Sequence, residues 1–205
     1  LSVRERRYGE GTHISHGDIF GSNNRGVTVQ YNYYGPSGAN SGAWQDIELS
    51  HLNIHHNDNY GIYTHWNYYV DIVYDNLNIH DNDWFGIYVT SHVYPVSLDI
   101  TNSTIQNNNS TQVYVSNFNH TGIDLEFHMN NNTITDDNNN YLVQLYGYSY
   151  GELVDFRLNN WGSAVTDSMN SGTNPQDIDA FNDWYEDERY PRVNYAGYVG
   201  ATGTS

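Results

Sequence analysis

The sequence predicts an all-β fold, a solenoid of stacked parallel strands with about six coils. Three observations carry this. The stretch Leu52-Asn53-Ile54-His55-His56-Asn57-Asp58-Asn59-Tyr60-Gly61-Ile62-Tyr63 returns 25 residues later as Leu77-Asn78-Ile79-His80-Asp81-Asn82-Asp83-Trp84-Phe85-Gly86-Ile87-Tyr88. The isoleucine of the Asn-Ile pair anchors a longer series, Ile19, Ile54, Ile79, Ile105 and Ile134, with Trp161 closing it. Apolar residues also keep fixed offsets from each anchor. Five before stand Ile14, Leu49, Tyr74, Ile100, Met129 and Phe156; seven before stand Thr12, Ile47, Ile72, Leu98, Phe127 and Val154. Rows two residues apart are strand alternation with one face inward. Eight after the anchors stand Val27, Ile62, Ile87, Val113, Leu142 and Met169.

Taken in order, residues 1–11 hold three arginines and are expected to form a partial coil or an N-terminal arm. Residues 12–170 are expected to be the solenoid. Within it, each Asn/Asp-rich run after an anchor is turn chemistry, because Asn and Asp tolerate left-handed backbone and hydrogen-bond locally. Residues 30–44, rich in Gly, Pro, Ser and Asn, read as a loop and account for the 35-residue gap between Ile19 and Ile54. Aromatic connections recur at the same phase in residues 65–69 and 91–95. Insertions at one phase emerge on one side, so Tyr31, Tyr33, Tyr34, Trp44, Trp66, Tyr68, Tyr69 and Tyr94 should cluster. Residues 171–205 are expected to be a C-terminal cap and tail, with the Gly/Tyr-rich stretch from Tyr195 to Ser205 extended or disordered. Within them 176–190 would form a short helix with Ile178, Phe181 and Trp184 on one face.

The pattern Leu-Asn-Ile-x-x-Asn-x-x-x-Gly-Ile-Tyr resembles the right-handed parallel β-helix repeat of the pectin-lyase-like superfamily, over roughly residues 12–170. Right-handedness is what the resemblance implies. The superfamily carries lyases, hydrolases, epimerases, phage spikes and surface proteins, so the resemblance speaks to architecture more than to activity.

The chain has no cysteine and no lysine; 7 arginines face 24 acidic residues, a formal net charge of −17. Disulfides and thiolate metal sites are thereby excluded. So much negative charge argues against nucleic acid and anionic membrane surfaces as partners. No run of 18 apolar residues is present, which argues against membrane insertion.

Four constellations are candidates for chemistry. Tyr63, Tyr88 and Tyr114 stand nine after their anchors and should stack on an outer face, as a ladder or as a platform for sugar rings or a second subunit. Histidines share rows: His16 with His51, His55 with His80, while His65 and His92 fall in the aromatic connections. Stacked histidines suit metal binding or acid–base work, though their spacing is no zinc signature. The turn row holding Asp58 and Asp83, beside Asn57, Asn82 and Asn108, is either an asparagine ladder or a weak calcium site. Sequons occur at Asn102, Asn108, Asn109, Asn119 and Asn131, and potential glycosylation is placed at Asn102, Asn109, Asn119 and Asn131. The lyases of the superfamily imply a basic residue, and only Arg25 and Arg157 lie within the coils. Its hydrolases imply grouped carboxylates, for which Asp46, Glu48, Asp71 and Asp75 are available, with His65, His92, Asp46 and Asp71 the catalytic candidates.

These readings favour an extracellular or cell-surface structural protein that self-associates, as a surface-layer or fibre subunit, through Tyr-rich faces and open coil ends. The alternative is a carbohydrate-active enzyme, lyase or hydrolase, or a non-catalytic glycan-binding module. The partner is expected to be a second copy or a polysaccharide, and no cofactor beyond calcium is implied.

Overall fold

The computed structural model describes residues 1–4, 11–30, 45–65, 67, 70–90, 96–119, 125–137, 140–148 and 153–202. The elements run β1 (Ser2–Arg4), β2 (Thr12–Phe20), β3 (Arg25–Gln30), β4 (Gln45–His55), β5 (Tyr60–His65) and β6 (Val70–Asp75). There follow β7 (Asn78–His80), β8 (Ile87–Thr90), β9 (Val96–Thr101), β10 (Thr104–Gln106), β11 (Val113–Asn119) and β12 (Leu125–Asn130). The chain closes with β13 (Thr133–Thr135), β14 (Val143–Tyr148), β15 (Leu153–Asp155), α1 (Ser163–Met169), β16 (Phe181–Asn182) and β17 (Arg192–Asn194).

Every strand pair formed by the described residues is parallel. One sheet has the order β1-β3-β5-β8-β11-β14-β16. The other runs β13-β10-β7-β4-β6-β9-β12-β15-β17, with β2 also on β4. The long strand β4 joins two strips of that second sheet: its first half pairs β6, its last three residues pair β7. An all-β structure of stacked parallel strips is compatible with a parallel β-helix.

Register explains why the anchors recur. Ile19 lies beside Ile54, Ile54 beside Ile79, Ile79 beside Ile105, and Ile105 beside Ile134. The bridge from Thr133 to Asn160 brings Trp161 next in line. The two rows before the anchors also stack: Ile47, Ile72, Leu98 and Phe127, and Leu49, Tyr74, Ile100 and Met129. All eight are buried, and each such side chain contributes about 2 kcal/mol of burial. Tyr74 sits in an otherwise apolar row because its buried hydroxyl meets Thr64 Oγ1 at 2.6 Å.

The turns are drawn by left-handed residues. One corner row is His16, His51, Asn76, Asn102, Asn131 and Leu158; the other is Gly21, His56, Asp81 and Asn107. Inside the second corner, Asn57, Asn82 and Asn108 are fully buried and chained. Asn57 Nδ2 donates to Asn82 Oδ1 (2.8 Å), Asn82 Nδ2 to Asn108 Oδ1 (2.8 Å), and Asn108 Nδ2 to Gln112 Oε1 (2.7 Å). Each oxygen also accepts a backbone N–H, so buried turn amides are satisfied. A shorter counterpart lines the first corner, where Asn132 Nδ2 donates to Asn159 Oδ1 (3.1 Å).

Four expectations need correction. The row eight after the anchors continues through Val143, not Leu142, because one extra residue enters between Ile134 and β14. It ends at Phe181, not Met169, since the chain leaves the strand pattern into α1 before returning as β16. Residues 176–190 are turns around β16 rather than a helix; the short helix is 163–169. The tail is not loose up to residue 202: Tyr195 and Tyr198 are buried, with Tyr195 beside Phe181 at 6.2 Å. At the other end β1 pairs with β3.

Candidate functional site

Two outer faces and one corner hold the chemistry-bearing side chains. On the first sheet, strand alternation turns Tyr63, Tyr88 and Tyr114 outward in register. Their rings stack at 5.6 and 4.8 Å. A second file, Tyr60 and Phe85 with exposed Trp84, packs against them: Tyr60 lies 5.0 Å from Tyr88 and Phe85 5.0 Å from Tyr114. The stripe continues to Tyr146 (5.2 Å) and edge-on to Tyr190 (5.0 Å). At its start the Arg25 guanidinium lies 3.7 Å from the Tyr63 ring centre. Burial pushes the Tyr114 hydroxyl up to about 12, and raises those of Tyr60 and Tyr146. Because the rings spend their faces on one another, the stripe offers edges and hydroxyl groups rather than open faces.

The outer face of the second sheet is acidic. Asp46 and Asp71 are register partners on β4 and β6, and the same file continues through Ser97 to Glu126. The next outward file runs His13, Glu48, Val73, Asp99, His128 and Asp155. His128 Nδ1 lies 3.0 Å from Asp99, and His13 Nδ1 2.8 Å from Glu48. The His13 hydrogen bond holds the Glu48 carboxyl below its usual range. Partial burial, then the like charges of Asp46, Asp99 and Glu126, raise the Asp71 carboxyl. Asp46, exposed, and Asp71, half-buried, are brought together as a carboxylate pair. Asp46, Asp71, Ser97 and Glu126 are each the second residue of their strands, so the file runs along that rim of the sheet.

His65 closes β5 rather than lying in a connection, and its ring is 5.4 Å from Tyr63. Burial pushes its imidazole below the usual range. It stands on the first sheet and Asp71 on the second. Asp58 and Asp83 are exposed at the turn outside the asparagine ladder. Among the described residues no three His, Asp or Glu side chains are gathered closely enough to hold a metal ion as they stand. Asn102, Asn109 and Asn131 are exposed, whereas Asn108, the remaining sequon of that stretch, is fully buried in the ladder. Tyr33, Tyr34, Trp44, Trp66, Tyr68, Tyr69, Tyr94 and His92 lie outside the described residues, as does the side chain of Asn119.

Sequence reasoning missed Asp99 and Glu126, whose charges act on Asp71, and His128, which lies beside both of them. Their offsets from the anchors carried the signal, since Asp46, Asp71 and Glu126 each stand eight before one. It also missed a cavity of about 620 Å³ near the C-terminal turns, lined by Asp136, Asp137, Asp179, Trp161 and Ser163 among others. Comparison with protein-family models, with curated proteins and with solved structures finds no match.

Proposed function

We propose that the chain is a right-handed parallel β-helix of about six coils, similar to the pectin-lyase-like superfamily. Its role is structural, as an extracellular or cell-surface protein that self-associates through its aromatic face. The observation that carries this reading is the continuous aromatic stripe across β5, β8, β11 and β14. It is rigid, because each ring is braced by two or more others, and it presents tyrosine hydroxyl groups with an exposed indole at Trp84. Such a surface, with an apolar body and polar rim, suits a protein contact at low ordering cost. The buried amide ladders and in-register strips favour a stiff body of the kind that builds layers or fibres. Sedimentation velocity over a concentration series tests the reading. Association that weakens in Trp84→Ala and Tyr63→Ser supports it; a concentration-independent monomer sinks it.

A second reading, a carbohydrate-active enzyme, draws on Asp46 and Asp71. Acid–base hydrolysis of a glycosidic bond uses two carboxyl groups, one of them raised so that it can act as the acid. The raised Asp71 carboxyl suits the acid, and Asp46 is the carboxylate beside it in register. Release of reducing sugar from a polysaccharide panel, lost in Asp71→Asn, would favour this reading over the first.

A further inference from the structure

We propose that the aromatic stripe docks onto the acidic outer face of a second copy of this chain, with tyrosine hydroxyl groups and Arg25 of one copy donating to Asp46 and Asp71 of the next. This rests on the reading that the chain self-associates, and adds which surface meets which. The fold leaves donors unused along the stripe. Neighbouring rings brace Tyr88 and Tyr114, yet neither hydroxyl makes a hydrogen bond with the described residues. Burial pushes the Tyr114 hydroxyl up to about 12, so it keeps its proton and donates at neutral pH. The third donor is Arg25, whose guanidinium lies 3.7 Å from the Tyr63 ring centre. Arg157 and Arg189 each hold an aspartate, whereas Arg25 has no carboxylate partner among the described residues. In a chain of 24 acids and 7 arginines, a half-buried arginine left without an acid keeps its fork of donors for an outside carboxylate.

The second sheet leaves acceptors unused in the same way. Its His13–Glu48 file settles its charges internally: Glu48 with His13, Asp99 with His128, and Asp155 with Arg157. The Asp46 file does not. Asp46 and Asp71 stand side by side and accept no hydrogen bond from the described residues. Asp71 is half-buried with like charges around it, so each donor brought to it relieves desolvation and repulsion together.

The two ladders share one period. Tyr63, Tyr88 and Tyr114 occupy successive strands, as do Asp46, Asp71 and Ser97, and strand neighbours stand about 4.8 Å apart. Two copies lying with parallel axes therefore bring donor opposite acceptor in one coil after another. The stacked rings have little rotamer freedom left to lose on contact. Because stripe and acid file lie on different sheets of one body, the contact is heterologous. Every copy keeps a free stripe or a free acid file, and the assembly extends without closing. A stripe-to-stripe contact would leave Arg25 and the hydroxyl groups without acceptors, and would close as a two-fold dimer.

Sedimentation velocity on the whole chain separates the two arrangements. The acid-face variant is Asp46→Lys/Asp71→Lys; the stripe variant is Arg25→Glu/Tyr88→Ser. Wild type is expected to form open-ended oligomers that lengthen with concentration. Each variant alone should stay monomeric, although the lysines move the net charge toward zero and so weaken general repulsion. An equimolar mixture of the two should give a 1:1 dimer and nothing larger, since only one good stripe and one good acid face remain in each pair. Thermal melts check that both variants fold; the near-isosteric Asp46→Asn/Asp71→Asn serves if the lysine pair does not. An acid-face variant that associates like wild type, or a mixture that stays monomeric beside an associating wild type, overturns this docking and leaves self-association standing. A wild type that is monomeric throughout overturns both.

Discussion

At Gly86 an added Cβ would sit 2.6 Å from the Gln112 carbonyl oxygen and 2.7 Å from Asn108 Nδ2. At Gly61 it would sit 2.6 Å from the Gly86 carbonyl oxygen. These atoms are backbone or locked amide and cannot step aside. Gly86→Ala is expected to destabilise by about 2–3 kcal/mol, read as a lower denaturation midpoint. Asn82 is the middle of the amide chain, giving to Asn108 and receiving from Asn57. Asn82→Leu strands its partners in the interior and should cost about 3 kcal/mol, with amide exchange accelerating in both flanking turns. The recurrence of Asn57, Asn82 and Asn108 made this ladder legible in the sequence. Gln112 was not, because it reaches back from its own repeat to Asn108 and belongs to no row.

The corner rows belong to the scale of elements. Five of six residues in the first row are His or Asn; Leu158 is the exception, held at φ 64° with half its surface exposed. A left-handed leucine is strained, and Asn relieves that strain by hydrogen bonding locally. Leu158→Asn should raise stability by about 0.5–1 kcal/mol, seen in calorimetry as a higher Tm. The strands themselves were readable wherever the spacing between anchors stayed regular. Ile54, Ile79 and Ile105 announce β4, β7 and β10 because β-branched residues recur at constant phase. The reading slipped at Leu142 for Val143, where one inserted residue shifts every later side chain. It failed at Phe181, because the intervening turns and α1 carry no strand period. The acid file of Asp46, Asp71 and Glu126 was half seen, since carboxylates scattered 25 and 55 residues apart look unrelated until register joins them.

For the whole molecule, proton linkage centres on Asp183, buried among the C-terminal turns. Burial pushes its carboxyl up to about 6, with Glu186 and Asp177 adding repulsion. The folded state thus binds this proton more tightly than the unfolded chain, whose aspartates titrate near 3.8. Folding is favoured at low pH, and the advantage is lost as pH rises from about 4 to about 6. Asp183→Asn should remove that slope and stabilise the protein at pH 7 by on the order of 2 kcal/mol, measured as the difference between paired melts. With a net charge of −17 and acidic files stacked in register, added salt should raise the melting temperature of both. The amide chain from Asn57 to Gln112 bears on how such a protein could grow. Its polarity is one-way, each member giving to its successor, and Gln112 closes the series by doubling back. An extra copy of the 25-residue unit spliced in between Leu52 and Leu77 would extend the series seamlessly. The same unit grafted behind Gln112 would arrive with no giver to meet it, so length variants of this protein should differ by units gained upstream of that residue.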